Sequence, residues 1–307
     1  MKIFVTGGAG FIGSHVADAF LNLGHKVVIF DNLSTGRREN LNPQAKFIEG
    51  DLGDDSLPDI LKAESPDVIS HHAAQIDVRK SVTDPRFDAQ VNILGSIHLL
   101  EAARQAGVKH VMFASTGGAI YGEQDYFPAD ENHPLRPCSP YGIAKLSVEK
   151  YLDYYRLVYG LKTTILRYAN IYGPRQNPHG EAGVVAIFCE RMLSGKPLVI
   201  NGEGLQTRDY VFVGDVVKAN LFTINDDHSD IYNVGTGVET TVVDIFHHLR
   251  EASGLDIAEN HGPAKAGEQL RSVLTSRKLF EHFGWKPQMP IAEGLKLTLE
   301  SFRQPVQ

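Results

Sequence analysis

Short apolar, β-branched runs alternate along the first half of the chain with longer stretches whose apolar positions recur at helical spacing. The runs predict strands at 3–6, 26–30, 46–49, 67–70, 110–115 and 163–167; the longer stretches predict helices at 11–23, 85–106 and 140–159. Several runs, such as Val27-Val28-Ile29-Phe30, are apolar on consecutive residues, the pattern of strands covered by helices on both faces. Stacked strand–helix–strand units of this kind build a parallel sheet, so the expected class is α/β with a doubly wound parallel sheet. Beyond Tyr168 the rhythm changes. Turn-rich stretches at 172–180 and 201–207 lie among shorter predicted helices near 182–194 and 241–253. No repeat, low-complexity tract or linker breaks the chain. The expected division is a sheet domain over 1–168, rejoined by elements from about 208–235, and a smaller C-terminal α/β lobe over 169–307.

The first loop carries chemistry. Thr6-Gly7-Gly8-Ala9-Gly10-Phe11-Ile12-Gly13 follows a predicted strand and opens a predicted helix, with Gly8, Gly10 and Gly13 in the register of a dinucleotide-binding turn. Glycine there permits a tight turn, close approach of the backbone to a pyrophosphate, and close contact of helix with strand. The helix start adds N–H groups and a positive dipole end. The second strand runs into Asp31, eighteen positions after Gly13. A carboxylate at that point accepts hydrogen bonds from ribose hydroxyls and repels a 2′-phosphate. The domain therefore reads as Rossmann-like and favours NAD over NADP, with Arg37 and Arg38 as the feature pulling the other way.

Ser139-Pro140-Tyr141-Gly142-Ile143-Ala144-Lys145 reads as a helix start, with Ser139 as N-cap and Pro140 at the first helical position. Tyr141 and Lys145 then lie one turn apart on one face. A phenol left to itself titrates near about 10. A neighbouring ammonium and a cationic nicotinamide both favour the phenolate, which makes a proton-transfer group suited to alcohol oxidation. The spacing is common on ordinary helices, and its position is what distinguishes it. It follows the fifth strand, whose end, Phe113-Ala114-Ser115-Thr116, offers hydroxyls at the carboxyl edge where sheet ligands bind.

Composition narrows the partners. The 307 residues are 42% hydrophobic and 22% charged, ordinary for a globular protein. The net charge of −7 argues against a broad phosphate-backbone surface, hence against nucleic acid. No run of about 18 apolar residues predicts a membrane span. Gly7, Gly8, Gly10 and Gly13 interrupt the apolar start where a signal peptide has a continuous core, which leaves the cytoplasm as the default location. Cys138 and Cys189 fit neither a disulfide framework nor a metal-ligand spacing. The neighbours in His71-His72 and His247-His248 point apart on a strand or helix, so no metal is expected.

Taken together, the glycine turn, Asp31, the hydroxyls of Ser115-Thr116 and the Tyr141–Lys145 pair resemble the extended short-chain dehydrogenase/reductase superfamily. Within it the chain is similar to the UDP-glucose 4-epimerases. The likeness takes in Asp31-Asn32-Leu33-Ser34-Thr35-Gly36, Gly50-Asp51-Leu52, Leu166-Arg167-Tyr168-Ala169-Asn170-Ile171-Tyr172-Gly173-Pro174-Arg175 and Arg208-Asp209-Tyr210-Val211. The resemblance implies NAD held as a prosthetic group, and epimerisation at carbon 4 of a UDP-hexose by transient oxidation to a 4-keto sugar. It implies Tyr141 as the base, Lys145 tuning it and holding the nicotinamide ribose, and Thr116 as hydroxyl partner of the reacting oxygen, with Ser115 as the alternative.

By the same matching, Gly7, Gly10, Phe11, Ile12, Asp31, Asn32, Ser34, Gly36, Asp51, Leu52, Ala73, Ala74, Asn92 and Tyr168 line the NAD site together with Tyr141 and Lys145. Thr116, Tyr141, Asn170, Val184, Arg208 and Arg271 contact the nucleotide-sugar, the two arginines countering its pyrophosphate with forked, permanently charged donors. Gly180-Glu181-Ala182-Gly183-Val184-Val185 is expected to border the sugar. Ser272 is small enough at a sugar-pocket position to admit an N-acetyl group, while Thr275 stands where many relatives carry aspartate. The resemblance also implies a homodimer built on the helices at 85–106 and 140–159.

One scaffold hosts several reactions. A 4,6-dehydratase needs an acid and a base beside the tyrosine, and such relatives place an Asp-Glu pair after the strand-five threonine. Gly117 and Gly118 occupy those positions here, and the glutamate that sugar-acid decarboxylases tend to place in this loop is missing too. Plain epimerisation is the reading this favours. UDP-glucuronate 4-epimerase, dehydratase and decarboxylase remain the alternatives on the same machinery. Outside it stand an alcohol dehydrogenase consuming free NAD and a non-catalytic NAD-binding sensor, which usually lacks the tyrosine or the lysine.

Overall fold

The six predicted strands form within one residue of their expected ends: β1 (Lys2–Thr6), β2 (Lys26–Asp31), β3 (Lys46–Glu49), β4 (Val68–His71), β5 (His110–Thr116) and β6 (Lys162–Tyr168). The computed structural model describes residues 1–179, 183–264 and 269–303. A seventh strand, Ile231–Val234, joins the sheet, whose order is Ile231–Val234, β6, β5, β4, β1, β2, β3. β1 pairs in parallel with both β2 and β4. The strand order reverses at β1 and β4, and a crevice opens at the carboxyl ends of such strands.

The consecutive apolar residues are explained by the two faces. Phe4, Val28, Phe30, Ile69, Val111 and Phe113 pack on one side with Leu99, Leu100 and Leu152. Ile3, Val5, Val27, Ile29, Val68 and Met112 pack on the other with Val16, Ala17, Phe20 and Ile224. Each such side chain contributes about 1.5–3 kcal/mol on burial, so the sheet is fixed in register from both faces.

The helix Pro140–Tyr159 has its predicted bounds. Ser139 Oγ accepts the Gly142 N–H at 3.1 Å, and Gly160 ends the helix in the left-handed conformation. The stretch expected as one regular helix at 85–106 differs. It comprises Pro85–Ala89, a wider π turn over Gln90–Leu94, and Gly95–Gln105. Wide turns of this kind take up one extra residue, and here the turn contains Asn92.

Two compact units emerge. The first comprises Met1–Ile120, Pro137–Arg167 and Val217–Tyr232; the second comprises Tyr121–Arg136, Tyr168–Val216 and Asn233–Gln307. The returning segment is thus shorter than the expected 208–235, and 121–136 groups with the second unit. The reason is its bonding. Tyr121 donates its hydroxyl to Asn233 Oδ1 at 2.7 Å, and Ala129 N–H donates to the Val273 carbonyl at 2.9 Å. The second unit packs the helices Val184–Ser194, Val242–Ser253 and Ile291–Arg303 around Phe188, Cys189, Phe246, Leu249 and Leu295. Thr241 and Asp244 form a capping box that starts the middle one. Ala182, expected at the start of the first, lies outside the described residues.

Candidate functional site

The glycine turn is built against its neighbours. Gly7 has φ +67°, and a Cβ on it would sit 2.6 Å from the Ala73 nitrogen, which rules out any other residue. A Cβ on Gly13 would sit 2.3 Å from the Gly7 carbonyl oxygen, so the helix start also folds onto the turn. The helix that follows, α1 (Phe11–Asn22), has no side-chain cap and no acidic residue in its first turn. Its positive end is left for an anion, with Phe11 and Ile12 half-buried beside it.

Asp31 closes the other side. Its carboxylate is buried and accepts N–H groups from Ala9 at 3.0 Å and Leu33 at 2.8 Å. Burial raises its pKa, and those two N–H bonds act against the rise. A carboxylate offers about four acceptor positions, so capacity for two ribose hydroxyls is left. A Cβ on Gly36 would come within 2.8 Å of Asp31 Oδ1. Arg37 and Arg38 pair with Glu39 and Glu49, which draws both guanidinium groups to carboxylates of their own. This donor set fits NAD. Alongside it Asn32 donates to Asp51 Oδ2 at 2.6 Å, and the Ser34 N–H donates to Asn32 Oδ1 at 3.0 Å. Buried Leu52 gives its carbonyl to His98 at 2.8 Å. Ala73 N–H donates to Thr6 Oγ1 at 3.2 Å, and Ala74 follows half-buried. Tyr168 ends β6 and is buried.

Asn92 is spent differently from a simple lining residue. Its amide accepts the Gln75 N–H at 2.8 Å, and donates to the Gln75 carbonyl at 2.9 Å and Asp88 Oδ1 at 3.0 Å. The wide turn delivers it to that loop. Gln75 and buried Asp88 are site residues that sequence reasoning missed, because nothing in their spacing marks them.

At the end of β5, Lys145 Nζ donates to the Ala114 carbonyl at 2.9 Å and lies 4.7 Å from the Phe113 ring centroid. Tyr141, half-buried, stands one turn earlier, its ring centroid 6.0 Å from Lys145 Nζ. Burial brings the Lys145 pKa down to about 8, against the pull of Asp88 and Glu149. Burial also raises the Tyr141 phenol, with the Asp88 charge as the next cause. Each charge is therefore costly alone and is favoured by the presence of the other. The two candidate hydroxyls separate here. Ser115 Oγ donates to Glu149 Oε1 at 2.5 Å and is buried, whereas Thr116 is half-buried at the strand end. Gly117 and Gly118 begin the short helix Gly117–Ile120.

His71 is buried between Thr6 Oγ1 at 2.7 Å and Ser96 Oγ at 3.0 Å, while His72 bonds Ser70 Oγ at 2.9 Å. Burial, then the Lys145 charge, hold both histidines neutral, His72 at about 3. Among the described residues no group of three or more His, Cys, Asp or Glu is placed to hold a metal.

In the second unit, Asn170 and Arg208 lie on short strands of two separate small sheets. Asn170–Tyr172 pairs in parallel with Tyr210–Phe212, and Thr207–Arg208 pairs in parallel with Arg271–Ser272. Arg208, half-buried, donates to the Thr207 carbonyl at 2.8 Å. Arg271 is exposed and forked onto Glu239, with Nε to Oε1 at 2.9 Å and a terminal nitrogen to Oε2 at 2.8 Å. Its guanidinium also stacks 3.7 Å from the Phe127 ring centroid. Glu239 is a third residue missed. Val184 opens its helix, half-buried, while Gly180, Glu181, Ala182 and Gly267 lie outside the described residues.

The sequence profile of the NAD dependent epimerase/dehydratase family matches residues 3–235. A UDP-glucose 4-epimerase of Mycolicibacterium smegmatis is 45% identical over 313 residues, covering 100% of each chain. Among solved structures, the UDP-glucose 4-epimerase of Thermotoga maritima with UDP-glucose is similar at 50% identity, with a TM-score of 0.96 over 99% of each chain. The UDP-glucose 4-epimerase of Thermus thermophilus in complex with NAD is similar at 46% identity, with a TM-score of 0.93 over 99% of each chain.

Proposed function

Given that the chain belongs to the NAD dependent epimerase/dehydratase family, we propose that it interconverts UDP-glucose and UDP-galactose at carbon 4 through a transient 4-keto sugar. The observation that carries the reading is the pair of half-buried Tyr141 and buried Lys145 on one helix face, with Lys145 bonded to the end of β5 that bears Thr116. NAD, when bound, takes the hydride from carbon 4 and returns it to the opposite face. The glycine turn, the start of α1 and Asp31 hold the pyrophosphate and ribose. Tyr141, held as the phenolate by the Lys145 ammonium, accepts the proton of the 4-hydroxyl at its phenolic oxygen, stands as the neutral phenol beside the 4-keto sugar, and then gives the proton back. Thr116 hydrogen-bonds the reacting oxygen, since Ser115 is committed to Glu149. Dehydration has no support at Gly117 and Gly118, which carry no acid or base.

The first unit is the cofactor-binding one in this reading, and the second supplies Asn170, Val184, Arg208 and Arg271 to the nucleotide-sugar. The small side chain of Ser272 supports acceptance of N-acetylated UDP-hexoses. Exposed apolar residues on one long helix, Ile143, Tyr151, Tyr154 and Leu157, with Phe87 and Leu94 on the stretch before it, support a homodimer. No described helix is long and apolar enough to cross a membrane, and we read the location as cytoplasmic, in galactose metabolism.

Incubation with UDP-galactose tests the proposal, following sugar products and NADH absorbance together. Conversion to UDP-glucose without net NADH is expected, and Tyr141→Phe is expected to lower kcat by about 10²- to 10⁴-fold. Stoichiometric NADH release, or a fully active Tyr141→Phe enzyme, sinks it.

A further inference from the structure

Glu149 has no part in that mechanism, yet it is buried beside it. It follows Lys145 by one turn, so Tyr141, Lys145 and Glu149 share a face of the helix Pro140–Tyr159. Both of its oxygens are engaged. Oε1 accepts from Ser115 Oγ at 2.5 Å and from Arg167 Nε at 3.1 Å, and Oε2 accepts from a terminal Arg167 nitrogen at 2.7 Å. Glu149 and Arg167 are each 2% exposed at the side chain, and Arg167 comes from β6. Two of the three residues that end β5 are therefore tied to the helix, at two successive turns. Lys145 holds the Ala114 carbonyl, Glu149 holds Ser115, and Thr116 follows directly.

We propose that Glu149, paired with Arg167, is a positioning residue for the epimerisation: through Ser115 it sets where Thr116 and the Ala114 carbonyl stand relative to Tyr141 and Lys145. The inference rests on the roles given above to Tyr141, Lys145 and Thr116. Stability alone does not call for charges here, because apolar residues of similar volume often replace a buried ion pair without loss. Geometry does call for them. Ser115 and Thr116 are joined by one planar peptide, so a shift of Ser115 carries Thr116 with it. A displacement of about 1 Å at a reacting group costs about 10²-fold in rate.

The same carboxylate bears on the lysine. Lys145 has Tyr141 and Glu149 on its own helix, Asp88 from Pro85–Ala89, and His71 and His72 from the end of β4, while Arg167 of β6 bonds Glu149. The histidines are held neutral by burial, and the carboxylates of Asp88 and Glu149 help Lys145 keep its proton. Removing the Glu149 charge therefore moves the loss of that proton to lower pH.

The test uses the full-length enzyme with its retained cofactor, measuring kcat, KM for UDP-galactose, the pH profile and the urea midpoint. Glu149→Gln is expected to lower kcat about 10- to 100-fold with KM nearly unchanged, and to move the alkaline limb of the profile downward. Glu149→Leu/Arg167→Met removes both charges and keeps the core filled; it is expected to recover the urea midpoint but to retain the low kcat and the displaced limb. A double variant with wild-type kcat and an unmoved limb overturns the proposal, leaving the pair purely structural. Should Glu149→Gln fail to fold, the double variant and Ser115→Ala, expected to lower kcat about 10-fold by freeing the strand end, carry the test. Full activity of Ser115→Ala would likewise overturn it. A fully active Tyr141→Phe enzyme identifies the separate failure of the underlying mechanism.

Discussion

Glu149 in the first unit and Asp209 in the second are both buried carboxylates, and they are compensated in different ways. Glu149 meets a guanidinium and one hydroxyl. Asp209 meets backbone instead. Oδ1 accepts the Thr236 N–H at 2.8 Å and its hydroxyl at 2.6 Å, while Oδ2 accepts N–H groups from Gly237 at 3.1 Å and Leu274 at 3.2 Å. Gly235 leaves the room for this, because a Cβ there would lie 2.5 Å from Asp209 Oδ2. Charge compensation by one cation is strong and brittle. Compensation by several dipoles is distributed, and it fastens a loop as well as neutralising a charge.

The largest effect that separates the two belongs to Arg167. Arg167→Met strands the Glu149 carboxyl group in the core without its cation, and is expected to cost about 3–5 kcal/mol in urea unfolding. Adding Glu149→Leu removes the stranded group and is expected to recover most of that loss. No such rescue exists for Asp209, whose partners are main-chain N–H groups and one hydroxyl. Asp209→Asn halves the acceptor oxygens and turns an NH₂ group toward N–H donors, at an expected cost of about 1–3 kcal/mol. Its pH dependence has a defined sign. Burial raises the Asp209 pKa above its unfolded value, so the stability this group contributes is fully present below the unfolded value and is lost as pH rises through the folded one. The deficit of Asp209→Asn against wild type should therefore grow as pH is lowered. A deficit that shrinks would mean that the N–H bonds outweigh burial.

The same contrast explains what was legible in the sequence. The glycine turn, Asp31 and the Tyr141–Lys145 pair are local, consecutive or one helical turn apart, and each type of residue is demanded by the chemistry. Glu149 was within reach of that reasoning, one further turn along the face, but a glutamate on a long helix ordinarily reads as solvated surface. Between Ser115 and Thr116 the sequence leaves two hydroxyls open, and only the partner from 34 residues away separates them. Asp209 sits in a quoted string, Arg208-Asp209-Tyr210-Val211, yet its partners lie 27 to 65 residues distant, so no spacing announces that it fastens a loop. The strand Ile231–Val234 falls in the stretch at about 208–235 expected to rejoin the sheet, but its bounds are unmarked because it is short and interrupted by Asn233. The wide turn at Asn92 escapes because its cause, the bonds to Gln75 and Asp88, is tertiary.

The smallest effect sharpens the comparison furthest, because it reverses a sign. Glu239 and Arg271 are bonded as fully as Glu149 and Arg167, but in the open, with 28% and 49% of their side chains exposed. Solvent screens such a pair, so Glu239→Gln is expected to change the urea midpoint only slightly at neutral pH. Arg271 and then Thr207, whose hydroxyl donates to Glu239 at 2.6 Å, hold the Glu239 carboxyl down at about 2. This folded pKa lies below the unfolded value of about 4.3, so the contribution is present above that value and disappears as pH falls toward the folded one. The Glu239→Gln deficit should therefore shrink on acidification, over the range in which the Asp209→Asn deficit grows, and added salt should shrink it too. The variant also releases the Arg271 guanidinium from its carboxylate. If that arginine serves the pyrophosphate, UDP should bind Glu239→Gln more tightly than wild type in calorimetric titration. Unchanged affinity would leave Arg271 as a partner of Glu239 and Phe127, and the pyrophosphate to Arg208.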